Sequence, residues 1–243
     1  MKQYGLIGYP LTHSFSKKYF EEKFSAEGIA DCAYDLYPIK EIGELPKLLQ
    51  TTPGLCGLNV TIPYKEQVIP LLNKLSPVAK EAGAVNCIKI EEGEAIGYNT
   101  DVIGFEKSLL RFLDGHTPRG VFVLGTGGSA KAVSYVLEKL RMPYLKVTRK
   151  VIVGTIGYAD IPLLMQESNL FINTTPLGMY PEINACVDIP YEDLNENDFL
   201  FDLVYNPVET EFLKRGALQK AKTKNGLEML ELQAEESWRI WNR

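Results

Sequence analysis

The apolar run Val121-Phe122-Val123-Leu124, followed at once by Gly125-Thr126-Gly127-Gly128-Ser129-Ala130, constrains the fold of this chain more than any other stretch. A short strand, a glycine turn and a helix with Ala130, Val133, Val136, Leu137 and Leu140 on one face form the opening of a βαβ unit, and Tyr144 to Thr148 supplies its second strand. Units of this kind build parallel sheets with helices on both faces. The glycines permit a tight turn and close approach of a pyrophosphate to the backbone, while the helix N-terminus offers N–H groups and a favourable dipole. The plainer alternative is a glycine-rich strand–helix turn that holds nothing.

The end of the second strand bears on that choice. Where NAD-binding chains carry an acid for the ribose hydroxyls, this one has Thr148-Arg149-Lys150. Two cations and a hydroxyl suit a 2′-phosphate, each charge-assisted hydrogen bond contributing about 1.5–3 kcal/mol, so the pattern favours NADP over NAD. A solvated basic turn is the competing account.

The N-terminal half repeats the strand–helix alternation. Gly5 to Gly8, Cys32 to Tyr37 and Leu55 to Ile62 read as strands, with helices over Lys17 to Gly28, Ile39 to Gln50 and Tyr64 to Leu72. In the third strand Leu58, Val60 and Ile62 alternate with Asn59 and Thr61, which predicts an apolar face toward a core and a wet face opposite. Pro63 suits the first turn of a helix, and Lys65 then sits where a cation opposes the macrodipole at a cost of about 0.3–1 kcal/mol. Positions that break local rules are often functional. A hairpin over Val85–Ile90 and Ala95–Tyr98, turning at Gly93-Glu94, would bring Asn86 beside Asp101. Helices are expected over Val102 to Leu113 and Leu227 to Trp241, the latter covering a surface with Leu227, Leu230, Ala234 and Trp241, and strands at Leu170 to Asn173 and Phe199 to Leu203.

Composition excludes several classes. A formal net charge of -5 offers no basic field for nucleic acid, and no apolar run approaches the ~20 residues of a membrane span. The N-terminus leads into Gly8 and Pro10 rather than a signal-peptide core, which places the chain in the cytoplasm. Cys32, Cys56, Cys87 and Cys186 are scattered and only two histidines occur, so neither disulfides nor a metal site are expected, and the cysteines read as buried, reduced thiols.

With Gly8 to Ser16, Asn59 to Lys65, Gly83 to Asn86, Gly97 to Asp101, Gly125 to Ala130, Asn173 to Met179, Asp202 to Pro207 and Gly226 to Gln233 in this order, the chain resembles the shikimate dehydrogenase family nearly end to end. The resemblance implies a two-domain α/β fold: a mainly parallel substrate domain over residues 1–101 plus 225–243, and a Rossmann-like, doubly wound NADP domain over 102–224. It implies NADP-dependent interconversion of shikimate and 3-dehydroshikimate, on the route to chorismate and the aromatic amino acids. Ser14, Ser16 and Tyr205 would hold the substrate carboxylate. Asn59, Thr61, Asn86, Asp101 and Gln233 would bind near the ring hydroxyls, with Lys65 catalytic. Gly125, Thr126, Gly127, Gly128 and Ser129 would hold the pyrophosphate, Thr148, Arg149 and Lys150 the 2′-phosphate, and Leu203 and Gly226 would line the nicotinamide. His13 is expected to make only a local hydrogen bond. The chain departs from the family where Lys17 replaces Pro, Tyr19-Phe20 replace His-Asn, Lys150 replaces Thr, and the stretch after Arg149 is shortened.

A ketone that accepts hydride becomes an alkoxide needing a proton, so Lys65 is expected to protonate it with Asp101 orienting the hydroxyl. A quinate/shikimate dehydrogenase of relaxed specificity, and a non-catalytic nucleotide sensor, are the alternatives. The partner is a small molecule, and the chain is expected to be a monomer or homodimer.

Overall fold

Two six-stranded sheets organise the computed structural model, which describes residues 1–11 and 14–243. His13 and its expected local hydrogen bond lie outside the described residues. The chain divides into two compact units, Met1–Thr100 with Ala234–Arg243, and Asp101–Gln233.

In chain order the first unit contains β1 (Lys2–Ile7), α1 (Phe15–Ala26), β2 (Cys32–Tyr37), α2 (Leu45–Thr51), β3 (Leu55–Val60), β4 (Lys74–Leu75), α3 (Pro77–Ala82), β5 (Cys87–Glu91) and β6 (Glu94–Tyr98). Its sheet runs β2-β1-β3-β5-β6-β4, with β1 parallel to β2 and β3, and β5 antiparallel to both β3 and β6. Ile7, Leu58, Val60 and Ile88 pack on one face with Leu45, Tyr64 and Val68. Tyr4, Leu6 and Tyr34 pack on the other with Phe20, Phe24, Ile240 and Trp241.

Both faces of β3 are therefore covered, which corrects the expectation of a wet face: Asn59 is 4% exposed. The expected helix over Tyr64 to Leu72 is absent as well. Turns occupy that stretch and only Ile69–Leu71 forms a 3-10 helix. Pro70 explains it, since its ring and missing N–H oppose a helix running through that position. The helix expected over Ile39 to Gln50 shrinks to a 3-10 turn at Ile42–Glu44 and α2, which starts at the Leu45-Pro46 pair. The hairpin turns at Glu92-Gly93, both at positive φ, and pairs Glu91 with Glu94. That register sets Cys87 opposite Tyr98 and shifts the turn by one residue from the expected Gly93-Glu94.

The second unit begins with α4 (Asp101–Leu113), β7 (Gly120–Leu124), α5 (Gly128–Lys139), β8 (Leu145–Val147), β9 (Thr155–Ile156), α6 (Ile161–Leu164) and β10 (Asn169–Asn173). It continues through β11 (Phe199–Asp202), α7 (Glu211–Leu218) and β12 (Lys222–Lys224) into α8 (Leu227–Trp241). All its strands are parallel, in the order β12-β11-β10-β7-β8-β9. This is the doubly wound arrangement, and the direction of winding reverses between β7 and β10, where ligands bind outside the strand ends. Phe122 stacks on Phe171 at 4.9 Å within one core layer, while Phe105 of α4 meets Phe201 of β11 edge-on at 5.3 Å on the opposite side.

The buried residues of α8 are Met229, Gln233, Ala234, Ser237, Ile240 and Trp241, so its covered stripe includes a polar pair and excludes the expected Leu227 and Leu230, which are only half-buried. Among the described residues no helix is long and apolar enough to cross a membrane, and no cluster of His, Cys, Asp and Glu could hold a metal ion. All four cysteines are free thiols, but only Cys87 is buried, contrary to expectation for the other three. Burial pushes the Cys87 thiol up to about 12.

Candidate functional site

In the first unit, α1 starts at the serine turn. Ser14 caps it, its hydroxyl accepting Lys17 N–H at 3.3 Å, and Ser16 lies in the first turn. Lys17 forms an ion pair with Asp35 at 3.1 Å, so a cation stands beside the turn where the family has proline. Tyr19 donates to Glu235, and Phe20 is fully buried with its ring 4.6 Å from that of Tyr34. The residues that depart from the family pattern thus enter an aromatic core and an exposed ion-pair layer.

Strand β3 delivers the next group. Thr61 N–H donates to Ile7 O at 2.9 Å, and Tyr64 N–H to Thr61 O at 2.9 Å, closing a turn straight after the strand. Lys65 is half-buried, and its carbonyl accepts Val85 N–H at 2.7 Å. A tertiary hydrogen bond thus takes the acceptor that a helix would have used, and Lys65 does not stand in the first turn of a helix. Buried Tyr64, whose hydroxyl donates to Ile39 O at 2.8 Å, holds the turn from below.

Asn86 ends the strand-like approach to β5, 3% exposed. Its Oδ1 accepts Thr100 N–H at 2.6 Å and its Nδ2 donates to Thr100 Oγ1 at 2.9 Å. The adjacent Asn99 donates to Ala84 O at 2.9 Å. Asn59 has its amide hydrogens directed to Ser237 Oγ at 2.9 Å and Asn86 O at 3.3 Å, and its Oδ1 receives the Tyr34 hydroxyl at 2.9 Å. With both donors committed inside the unit, Asn59 is built as a support.

In the second unit, Asp101 is the first residue of α4 and 6% exposed, a placement the helix dipole favours for an anion. Gly125 follows β7 at φ +116, and a Cβ there would lie 2.6 Å from Thr174 Oγ1, so both conformation and space require glycine. Gly127 is the N-cap of α5, with no side-chain cap and nothing within 4 Å of a Cβ. Ala130 one turn on is 1% exposed against the sheet. The twelve-residue helix therefore presents its first backbone N–H groups on an unobstructed turn, which suits a pyrophosphate.

Thr148 continues β8 by donating to Ile156 O at 2.9 Å, and Arg149 and Lys150 follow it in an exposed bend with no acid between them and β9. Those cations fit a 2′-phosphate.

After β11, Asp202 is fully buried and accepts Asn173 Nδ2 at 2.9 Å, Val204 N–H at 3.0 Å and Thr210 Oγ1 at 2.6 Å. Burial raises its carboxyl to about 6 against the pull of those three donors. The result is a rigid loop that carries Leu203 and half-buried Tyr205. Gly226 packs against it: its N–H donates to Val204 O at 3.1 Å, and a Cβ would meet Leu203 O at 2.2 Å. Gln233 is 7% exposed on α8, its Nε2 donating to Leu230 O at 2.9 Å.

Sequence reasoning did not single out Tyr34, Ser237 or Asp202. Ser237 follows Gln233 by one helical turn, a spacing that could have marked it, and Asp202 ends an apolar strand, where a lone acid needs local donors. Tyr34 gives no local signal.

Comparison with known proteins bears on all of this. The family model for the shikimate dehydrogenase substrate binding domain matches residues 6–88. The NADP(+)-dependent shikimate dehydrogenase of Clostridium perfringens is 38% identical over 100% of this chain and 93% of its own length. A chorismate mutase/shikimate 5-dehydrogenase fusion protein from Clostridium acetobutylicum superposes with a TM-score of 0.88 at 37% identity, over 100% of this chain and 91% of the other. Shikimate 5-dehydrogenase from Thermus thermophilus, solved with NADP(H) and shikimate, superposes with a TM-score of 0.82 at 27% identity, over 99% and 93%.

Proposed function

The chain belongs to the shikimate dehydrogenase family, oxidoreductases acting on a CH–OH group with NADP, and from that premise we propose how its residues divide the work. The reaction is the reversible reduction of 3-dehydroshikimate to shikimate. The observation that carries it is the match to NADP(+)-dependent relatives across the whole chain.

Ser14, Ser16 and Tyr205 bind the substrate carboxylate. Thr61, Asn86 and Gln233 bind ring hydroxyls, and Asn59 acts beneath them through Asn86. The Gly125–Ser129 turn holds the pyrophosphate of NADP, Thr148, Arg149 and Lys150 hold its 2′-phosphate, and Leu203 and Gly226 border the nicotinamide. The open N-terminus of α5 and the absence of an acid after β8 support that fit. When bound, the reduced cofactor supplies the hydride. The Lys65 ammonium donates a hydrogen bond to the ketone oxygen, stabilises negative charge as it develops there, and passes a proton to it. The Asp101 carboxylate orients the same hydroxyl group, and the neutral amine left by the transfer regains its proton from solvent. In the oxidative direction Lys65, as the neutral amine, takes the hydroxyl proton.

A positioned general acid contributes about 10²–10⁴-fold, so Lys65→Met is expected to lower kcat by about that factor while KM for shikimate changes little. Steady-state absorbance of the reduced nicotinamide measures both, and near-normal turnover would remove Lys65 from the chemistry. The remaining parts of this reading are a small-molecule partner, a monomer or homodimer, and residence in the cytoplasm.

A further inference from the structure

Helices α4 and α8 meet at a glycine. Gly104 is buried one turn after Asp101, and a Cβ built on it would lie 2.5 Å from Met229 O and 3.2 Å from both N and Cβ of Gln233. Alanine is the better helix former, so local propensity does not select glycine inside α4. The approach of α8 does, because a backbone carbonyl stands where the methyl group would go.

Further contacts fix how the two helices run past each other. Ser108, fully buried one turn further along α4, donates to Glu228 Oε2 at 2.8 Å, and Arg111 pairs with Glu228 Oε1 at 2.7 Å. Lys224, at the end of β12, pairs with the same carboxylate at 2.7 Å. Later residues of α4 thus meet earlier residues of α8, an antiparallel contact that leaves Asp101 and Gln233 toward the same end of the pair. Both side chains lie within the second unit, Asp101 6% exposed and Gln233 7%.

We propose that Gly104 is a positioning residue for the substrate: by admitting the α8 backbone it sets the separation between Gln233 and Asp101. This rests on Asp101 and Gln233 being substrate ligands, as proposed above. Phe105 of α4 is fully buried against Phe201 of the sheet, so a methyl group added at position 104 moves α8 rather than α4. Glu228 holds the first turn of α8 to Ser108 and Arg111, so the movement falls at Gln233.

The test is a double-mutant cycle of Gly104→Ala and Gln233→Ala, with kcat and KM for shikimate and KM for NADP measured in every variant. Each single variant is expected to raise the shikimate KM about five- to tenfold, the upper range for one lost hydrogen bond, with kcat within about threefold and the NADP KM unchanged. The double variant is expected to stay within about twofold of the worse single, because the added methyl group acts through Gln233. Effects that multiply, or a shikimate KM untouched by Gly104→Ala, overturn the positioning role. So does an equal rise in the NADP KM, which marks general damage to the second unit. An unchanged shikimate KM in Gln233→Ala overturns the ligand reading beneath it and takes the positioning role with it. Should Gly104→Ala fail to fold, Glu228→Ala replaces it in the same cycle by releasing the first turn of α8: a rise in shikimate KM that disappears in the Gln233→Ala background supports the proposal, and no rise, or one independent of Gln233, overturns it.

Discussion

A single buried acid shows how this site is held. Asp202 is enclosed with three donors, yet its carboxyl titrates near 6 instead of the 3.8 of an exposed aspartate, burial being the dominant cause. A carboxyl whose folded value is raised binds more protons in the folded state across that interval, so stability falls as pH rises from about 4 to about 6. Asp202→Asn keeps an acceptor for Asn173 and Val204 and removes the titration. Urea midpoints measured across this interval are expected to decline in the parent protein and to lose that component of the slope in the variant. An identical slope in both would show that the carboxyl does not titrate there.

Elements carry the next level of control. Gly226 precedes α8 and lies against the backbone after β11, with 2.2 Å between a built Cβ and Leu203 O. Backbone cannot yield as a side-chain tip can, so Gly226→Ala is expected to displace Leu203. Overpacking of this kind costs about 1–3 kcal/mol. The variant is expected to melt earlier and to raise KM for NADP several-fold while leaving KM for shikimate close to the parent value. Equal loss for both ligands would place the damage elsewhere. The same scale explains where expectation and structure part over Lys65: Pro70 blocks a helix, and Val85 N–H occupies the Lys65 carbonyl. Spacing alone could suggest the helix, because Tyr64 and Val68 are both buried and lie one turn apart.

At the scale of the molecule, the first unit is discontinuous. Its closing segment, Ala234–Arg243, contributes Ile240 and Trp241 to the aromatic core, with Trp241 stacked on Tyr4 at 4.8 Å and donating to Ile88 O at 2.9 Å. Removing a buried tryptophan costs about 3–5 kcal/mol, a large part of any domain's net stability. A chain ending at Gln233 is therefore expected to lose the first unit. Limited proteolysis should digest residues 1–100 and leave a resistant core within 101–233. Survival of both parts would show that the last ten residues are dispensable to the fold.

The strand–helix alternation, the glycine turn with its cationic bend, and the residue types proposed for the site were legible along the chain, because each depends on spacing over a few residues. Family membership was legible too, since it rests on ordered blocks. The turn that holds Lys65, the hairpin register and the burial of Asn59 were decided by tertiary structure. Asn59 reads as a wet-face residue until Ser237, 178 positions away, covers it and takes its hydrogen. A local pattern records which face is apolar; it carries no record of a polar partner brought from the far end of the chain, and it is partners of that kind, with Tyr34 and Asn86, that make burial of the amide tolerable.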